Sequence, residues 1–176
     1  MADTFSTASL CFRRVMATWQ FSVVLIPASW AEENSYSSSA LYDEEGYDTE
    51  CAWKGRQPES EFKAVLGDIL PPSKSWHEAL LTWGNEKEHD IQVWFENETI
   101  DGIHIRLDLN QNLNEIIVKV VKLAKTLNCA LFFPEFKSVT EANEFQLKDA
   151  IKKSNAAKFV CNPQEFLNEI SKKHNK

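Results

Sequence analysis

The chain has 176 residues, 43% of them apolar, and a formal net charge of −7. That length and content are enough for one well-filled core. The charge excludes the basic stripe that a phosphate-backbone binder needs.

Residues 1–17 read as a flexible leader, followed by a single domain over 18–172. Trp19–Ile26 is an apolar run of strand length, ended by Pro27. Residues 1–31 keep a second reading as a signal peptide. Arg13-Arg14 precede the apolar stretch, and Ser29-Trp-Ala31 offers a cleavage pattern. The acidic Asp3 in the leader and Gln20 within the run favour a strand of a cytoplasmic protein. No apolar run is long enough to span a membrane.

Residues 28–57 form a long loop. It combines an acidic run, Asp43 to Glu50, with Trp30, Tyr36, Tyr42, Tyr47 and Trp53. That many aromatics predict a loop packed on the domain. A helix is expected over Ser60–Leu70, ended by Pro71-Pro72, and a short one over Trp76–Leu81, with Ser75 and Glu78 as a capping box.

The centre of the chain is a ββαβ unit over Asp90–Phe133. Asp90–Glu96 and Ile103–Leu109 alternate apolar and polar residues, the period of a half-buried strand. A turn at Asn97-Glu98 with a bulge near Asp101-Gly102 would let Ile100 and Ile103 both face the core. A longer loop closed at Asp101-Gly102 is the alternative. Leu113, Ile116, Ile117, Val120, Leu123, Ala124 and Leu127 recur at helical spacing, with Asn112 and Glu115 as cap and box. Cys129–Phe133 is a continuous apolar strand, expected to lie beside its predecessor as a parallel pair through a right-handed crossover. Beyond it come a helix capped by Thr140, a short extended segment at Ala157–Cys161, and a last helix. Asn162-Pro163 and Glu165 mark the start of that helix.

The fold expected is therefore α+β: a mixed, mainly antiparallel sheet of about four to five strands, with helices mainly on one face. Cys11, Cys51, Cys129 and Cys161 lack Cys-x-x-Cys spacing, and His77, His89 and His104 lack ligand spacing. No metal or cofactor is expected. There is no Gly-x-Ser-x-Gly turn and no phosphate loop, so no catalytic residue is assigned. Asn97-Glu98-Thr99 matches a glycosylation sequon, which matters only for a secreted chain. The candidate binding residues lie on the polar face of the hairpin: Trp94, Glu96, His104, Arg106 and Asp108. The function expected is a non-catalytic protein-binding module, of the inhibitor or immunity type, that meets a basic protein. A homo-oligomer is compatible with it; nucleic acid and membrane are not expected partners. The alternative is an enzyme or small-ligand binder built on His104, Arg106 and Asp108.

Overall fold

The computed structural model describes residues 17–59 and 61–174. The leader, apart from Ala17, and Ser60 lie outside them.

Seven strands form one sheet: β1 Gln20–Pro27, β2 Pro72–Ser73, β3 Leu80–Gly84, β4 Asp90–Glu96, β5 Thr99–Asp108, β6 Cys129–Phe133 and β7 Ser138–Thr140. Their order is β2-β3-β4-β5-β1-β6-β7, and every pairing is antiparallel. Among the described residues seven α-helices accompany them: α1 Ala28–Glu33, α2 Glu50–Trp53, α3 Phe62–Gly67, α4 Asn114–Thr126, α5 Glu144–Lys153, α6 Asn155–Cys161 and α7 Pro163–His174. The α+β class stands, but the sheet is larger than four to five strands and is not mixed.

The hairpin β4–β5 follows its sequence. Asn97 and Glu98 take φ of 47° and 66°, which gives a two-residue turn whose twist matches the strands. Pairing slips between Trp94↔Gly102 and Phe95↔Ile100, so Asp101 is the extra residue of a bulge. The parity shift leaves Ile100 3% and Ile103 0% exposed in one core.

The expected parallel pair does not form. β5, α4 and β6 follow one another in the chain, but β1 lies between β5 and β6 and pairs antiparallel to both. β1 fits this slot because both of its faces are apolar. Phe21, Val23 and Leu25 join the core under α4, while Val24 and Ile26 join the core on the opposite face. Burial of each such side chain contributes roughly 1.5–3 kcal/mol.

Helices also cover both faces rather than mainly one. Ile116, Ile117, Val120, Leu123 and Ala124 of α4 and Leu147 of α5 pack on the first face. The second face is partly covered by the expected long loop, which folds into α1, a 3₁₀ turn at Ser39–Leu41, and α2. Trp30, Ala31, Leu41 and Ala52 bury against Val24, Ile26, Ala130 and Phe132 there.

Several local expectations are corrected. Leu80–Gly84 is a strand, and Ser75 closes a turn instead of capping a helix: its Oγ donates to His77 O (2.8 Å) and accepts from His77 N (3.2 Å). The helix expected from Ser60 covers only Phe62–Gly67. At the start of α4 Asn112 Oδ1 accepts from Asn114 N at 3.0 Å, as expected of the cap, but Glu115 pairs with Lys119 at 2.7 Å instead of closing the box. Thr140 lies in β7, and Asn143 caps α5 by accepting from Gln146 N at 2.9 Å. Ala157–Cys161 is helical, because Ser154 Oγ caps α6 by accepting from Ala157 N at 3.1 Å. Asn162 and Glu165 do form the expected box at the start of α7, through Glu165 N to Asn162 Oδ1 (3.3 Å) and Asn162 Nδ2 to Glu165 Oε2 (2.8 Å).

Candidate functional site

The half of the second face built by β4 and β5 is polar. Register puts Asp90 opposite Arg106 and Gln92 opposite His104, with Ser22 and Val24 of β1 as the next neighbours. Arg106 donates from Nε to Asp90 Oδ1 (2.7 Å) and from Nη2 to Asp90 Oδ2 (2.5 Å), and Gln92 Nε2 donates to the same Oδ2 (3.1 Å). The two charged side chains are only 9% and 3% exposed. A bidentate guanidinium held this way is not an open anion clamp.

Asp108 is also committed. Its Oδ1 accepts from Asn110 N (2.9 Å) and Asn110 Nδ2 (3.1 Å), and its Oδ2 accepts from Gln111 Nε2 (3.2 Å), closing the turn that leads to α4. His89 Nδ1 accepts from the Asp108 backbone N–H at 2.9 Å.

His104 lies under Tyr47, their rings stacked at 6.2 Å and 25°. Burial, helped by the nearby Arg106 charge, takes its imidazole from the ordinary 6.5 down to about 4. It is therefore neutral near pH 7. No hydrogen bond joins it to Asp108 or Glu96 among the described residues. The five sequence candidates share a sheet face, but His104, Arg106 and Asp108 do not converge on one point.

Trp94 belongs to a different group. Its ring meets Trp76 at 5.7 Å and His77 at 5.9 Å, and Trp76 also meets His77 at 5.8 Å. Trp76 is 47% exposed, so the group presents an aromatic surface.

Beside it the acidic loop reaches the hairpin. Asp43 Oδ1 accepts from Glu45 N (2.8 Å) and Gly46 N (3.0 Å), a turn that brings Tyr42 and Tyr47 into a β-bridge. Thr49 Oγ1 then donates to the carbonyl of Asp101 at 2.8 Å. Gly102 makes room for this contact. A Cβ there would lie 2.7 Å from His104 Nε2 and 2.8 Å from Thr49 Oγ1.

Asp101 is the residue that sequence reasoning passed over. Burial first, then the charges of Asp48, Glu50 and Glu96, takes its carboxyl from 3.8 up to about 6. Its Oδ1 is buried with no hydrogen-bond partner among the described residues. The Asp101-Gly102 pair marked the bulge; it did not mark the carboxylates that would crowd around it. Among the described residues, no group of three or more His, Cys, Asp or Glu is arranged to hold a metal ion. No helix of the described residues is long and apolar enough to cross a membrane.

Comparison with protein-family models, curated proteins and solved structures gave no match.

Proposed function

We propose that the protein is a non-catalytic binding module that engages a basic protein, in the manner of an inhibitor or immunity protein, in the cytoplasm. The observation that carries this reading is the meeting of two acidic segments. Burial first, then Asp48 and Glu50 of the loop and Glu96 of the hairpin, raise the cost of ionising Asp101. A partner bringing lysine or arginine would relieve that repulsion and be steered by it. The Trp76–Trp94 pair next to Gly102 supplies the large aromatic area that anchors a contact. Among the described residues Cys51, Cys129 and Cys161 are free thiols, in keeping with a reducing compartment.

The polar-face enzyme reading has less support, because Arg106 and Asp108 already have partners within the chain. The test is capture of partners from the source organism's lysate on the tagged chain, at about 50 mM and about 500 mM salt, a range over which screening changes strongly. The expected result is one basic protein, lost at high salt and lost from the triple variant Asp48→Asn, Glu50→Gln, Glu96→Gln. Capture that ignores both salt and the triple variant, or no capture at all, overturns the reading.

A further inference from the structure

The turn before β3 brings three aromatic rings together. The centroids of Trp76, His77 and Trp94 are 5.7, 5.8 and 5.9 Å apart, a nearly equilateral triangle. Their planes are inclined at 45°, 70° and 72°, so the rings are not stacked flat on one another. A cation resting over the centre of such a triangle stands within the roughly 6 Å reach of all three rings.

Hydrogen bonds hold the triangle in shape. Ser75 Oγ bridges His77 N and His77 O, and His77 Nδ1 accepts from Ala79 N at 3.0 Å. Ala79 O accepts from Phe95 N at 2.9 Å, and Leu80 pairs with Trp94 in the β3–β4 ladder. The turn and Trp94 are thus fixed to each other, and a ligand that meets them has little ordering cost to overcome. Trp76 keeps 47% of its surface exposed in this rigid setting.

The surroundings set the charge of that ligand. Phe95 packs against the core of the first face, so Trp94 and Glu96 share the opposite one, roughly 7 Å apart along the strand. Glu96 is exposed and has no ion pair among the described residues. Gly102 lies opposite Trp94, which brings Asp101 and its neighbours Asp48 and Glu50 to the same end of the hairpin. Within the turn Lys74 and Glu78 offset each other. An anion would meet electron-rich ring faces and carboxylates, and a neutral ligand would leave the carboxylates unanswered.

We propose that Trp76, His77 and Trp94 seat the guanidinium of an arginine side chain, with Glu96 accepting its N–H groups. A guanidinium suits the place better than an ammonium, because its plane stacks on a ring while its forked donors reach a carboxylate. This rests on the reading of the protein as a partner of a basic protein and names the residue by which that partner is held.

The test is a titration of the ¹⁵N-labelled chain, following the Trp76 and Trp94 indole resonances, with three probes. These are N-acetyl-arginine-N-methylamide, its neutral isostere N-acetyl-citrulline-N-methylamide, and N-acetyl-lysine-N-methylamide, a cation without the plane. The arginine probe should give saturable shifts at both indoles. The citrulline probe should bind about 10-fold more weakly, a loss of about 1.4 kcal/mol, and the lysine probe about 3-fold more weakly. Trp76→Ala should remove the Trp94 shift, and Glu96→Gln should weaken the arginine probe about 5-fold. Both positions are exposed, so the other resonances should stay in place. Equal binding of the citrulline probe, no saturable shift, or a Trp94 shift that survives Trp76→Ala overturns the proposal. Lysine binding as tightly as arginine overturns the guanidinium assignment. Failure here with salt-sensitive capture intact would remove only the arginine seat. Normal titration with no partner captured would leave the seat standing and remove the protein partner.

Discussion

Asp90 and Asp101 sit on the two strands of one hairpin and have opposite surroundings. Asp90 is 2% exposed and faces Arg106 directly across the ladder, so both its oxygens are filled. Asp101 occupies the bulge, where the ladder offers no opposite residue, and its neighbours are Asp48, Glu50 and Glu96. One carboxylate is used up in holding the sheet together. The other is held at a cost set by burial and by three neighbouring carboxylates. An ionisable residue on a polar sheet face therefore says little about function until its cross-strand partner is known.

The strongest way to break the comparison is to remove the cation. Arg106→Leu leaves Asp90 buried and uncompensated, and should cost about 3–5 kcal/mol in urea denaturation. The double variant Asp90→Leu, Arg106→Leu should lose much less than the single one, because the buried charge is gone. A single-variant loss below about 1 kcal/mol would show that Asp90 is solvated despite its burial.

Next in size is Gly102→Ala. The new methyl would meet His104 Nε2 and Thr49 Oγ1, so the latch between loop and bulge must shift. A loss of about 1–3 kcal/mol is expected, together with changed ring-current shifts at Tyr47 and His104.

Asp101→Asn tests the unpaired side. The folded carboxyl titrates near 6 and the unfolded one near 3.8. The folded state therefore holds its proton more tightly, and this group lowers stability as pH rises from about 4 to about 6. The two-unit shift corresponds to about 3 kcal/mol at about 1.4 kcal/mol per unit. Partial exposure and salt reduce that to about 1–2 kcal/mol. The variant should be more stable by that amount at pH 7.5 and unchanged at pH 3.5. His104 runs the other way: its folded value near 4 lies below the ordinary 6.5, so its contribution is lost as pH falls through that window. The two trends oppose each other in the native chain. Removing Asp101 should expose the His104 slope as a steeper fall in stability from pH 6.5 to 4. A flat profile in the variant would contradict the buried, neutral imidazole.

The smallest effect on the fold belongs to Trp76→Ala. At an exposed position it should change stability by no more than about 0.5 kcal/mol. Partner capture should nonetheless fall at least about 10-fold, as it does when an aromatic anchor is cut. Unchanged capture would take the aromatic group out of the interface.

What could be read beforehand was local. The parity slip between Ile100 and Ile103 gave the bulge, the spacing of Ile116 to Ala124 gave α4, and Asn162-Pro163 gave the start of α7. β3 was hidden because Leu80 and Trp83 bury on opposite sides of the sheet, pairing with Trp94 and Ile91, and so show no period of two. The Ser75–Glu78 pattern then suggested a helix. α1 was missed because six residues after a proline are too short for periodicity to register. Strand order was beyond reach: the crossover rule speaks for β5 and β6 and says nothing of a strand arriving from far earlier in the chain. The same holds for the site. Trp94 was visible as an odd residue on a polar face, but Trp76, His77 and the acidic loop reach it only through tertiary structure.

The position of β1 has a kinetic consequence. Gln20 pairs with Asp108, and Pro27 with Cys129, so the first of the described strands to be made closes the sheet only after β5 and β6 have followed. The β4–β5 hairpin and α4 are built from local contacts and can form first, leaving a gap lined by Ile103, Ile105 and Leu131 that a strand apolar on both faces must enter. Such high contact order belongs to folding in milliseconds to seconds. Stopped-flow refolding should show that slow phase, and until it is over the waiting strand is the segment most open to pairing with another chain.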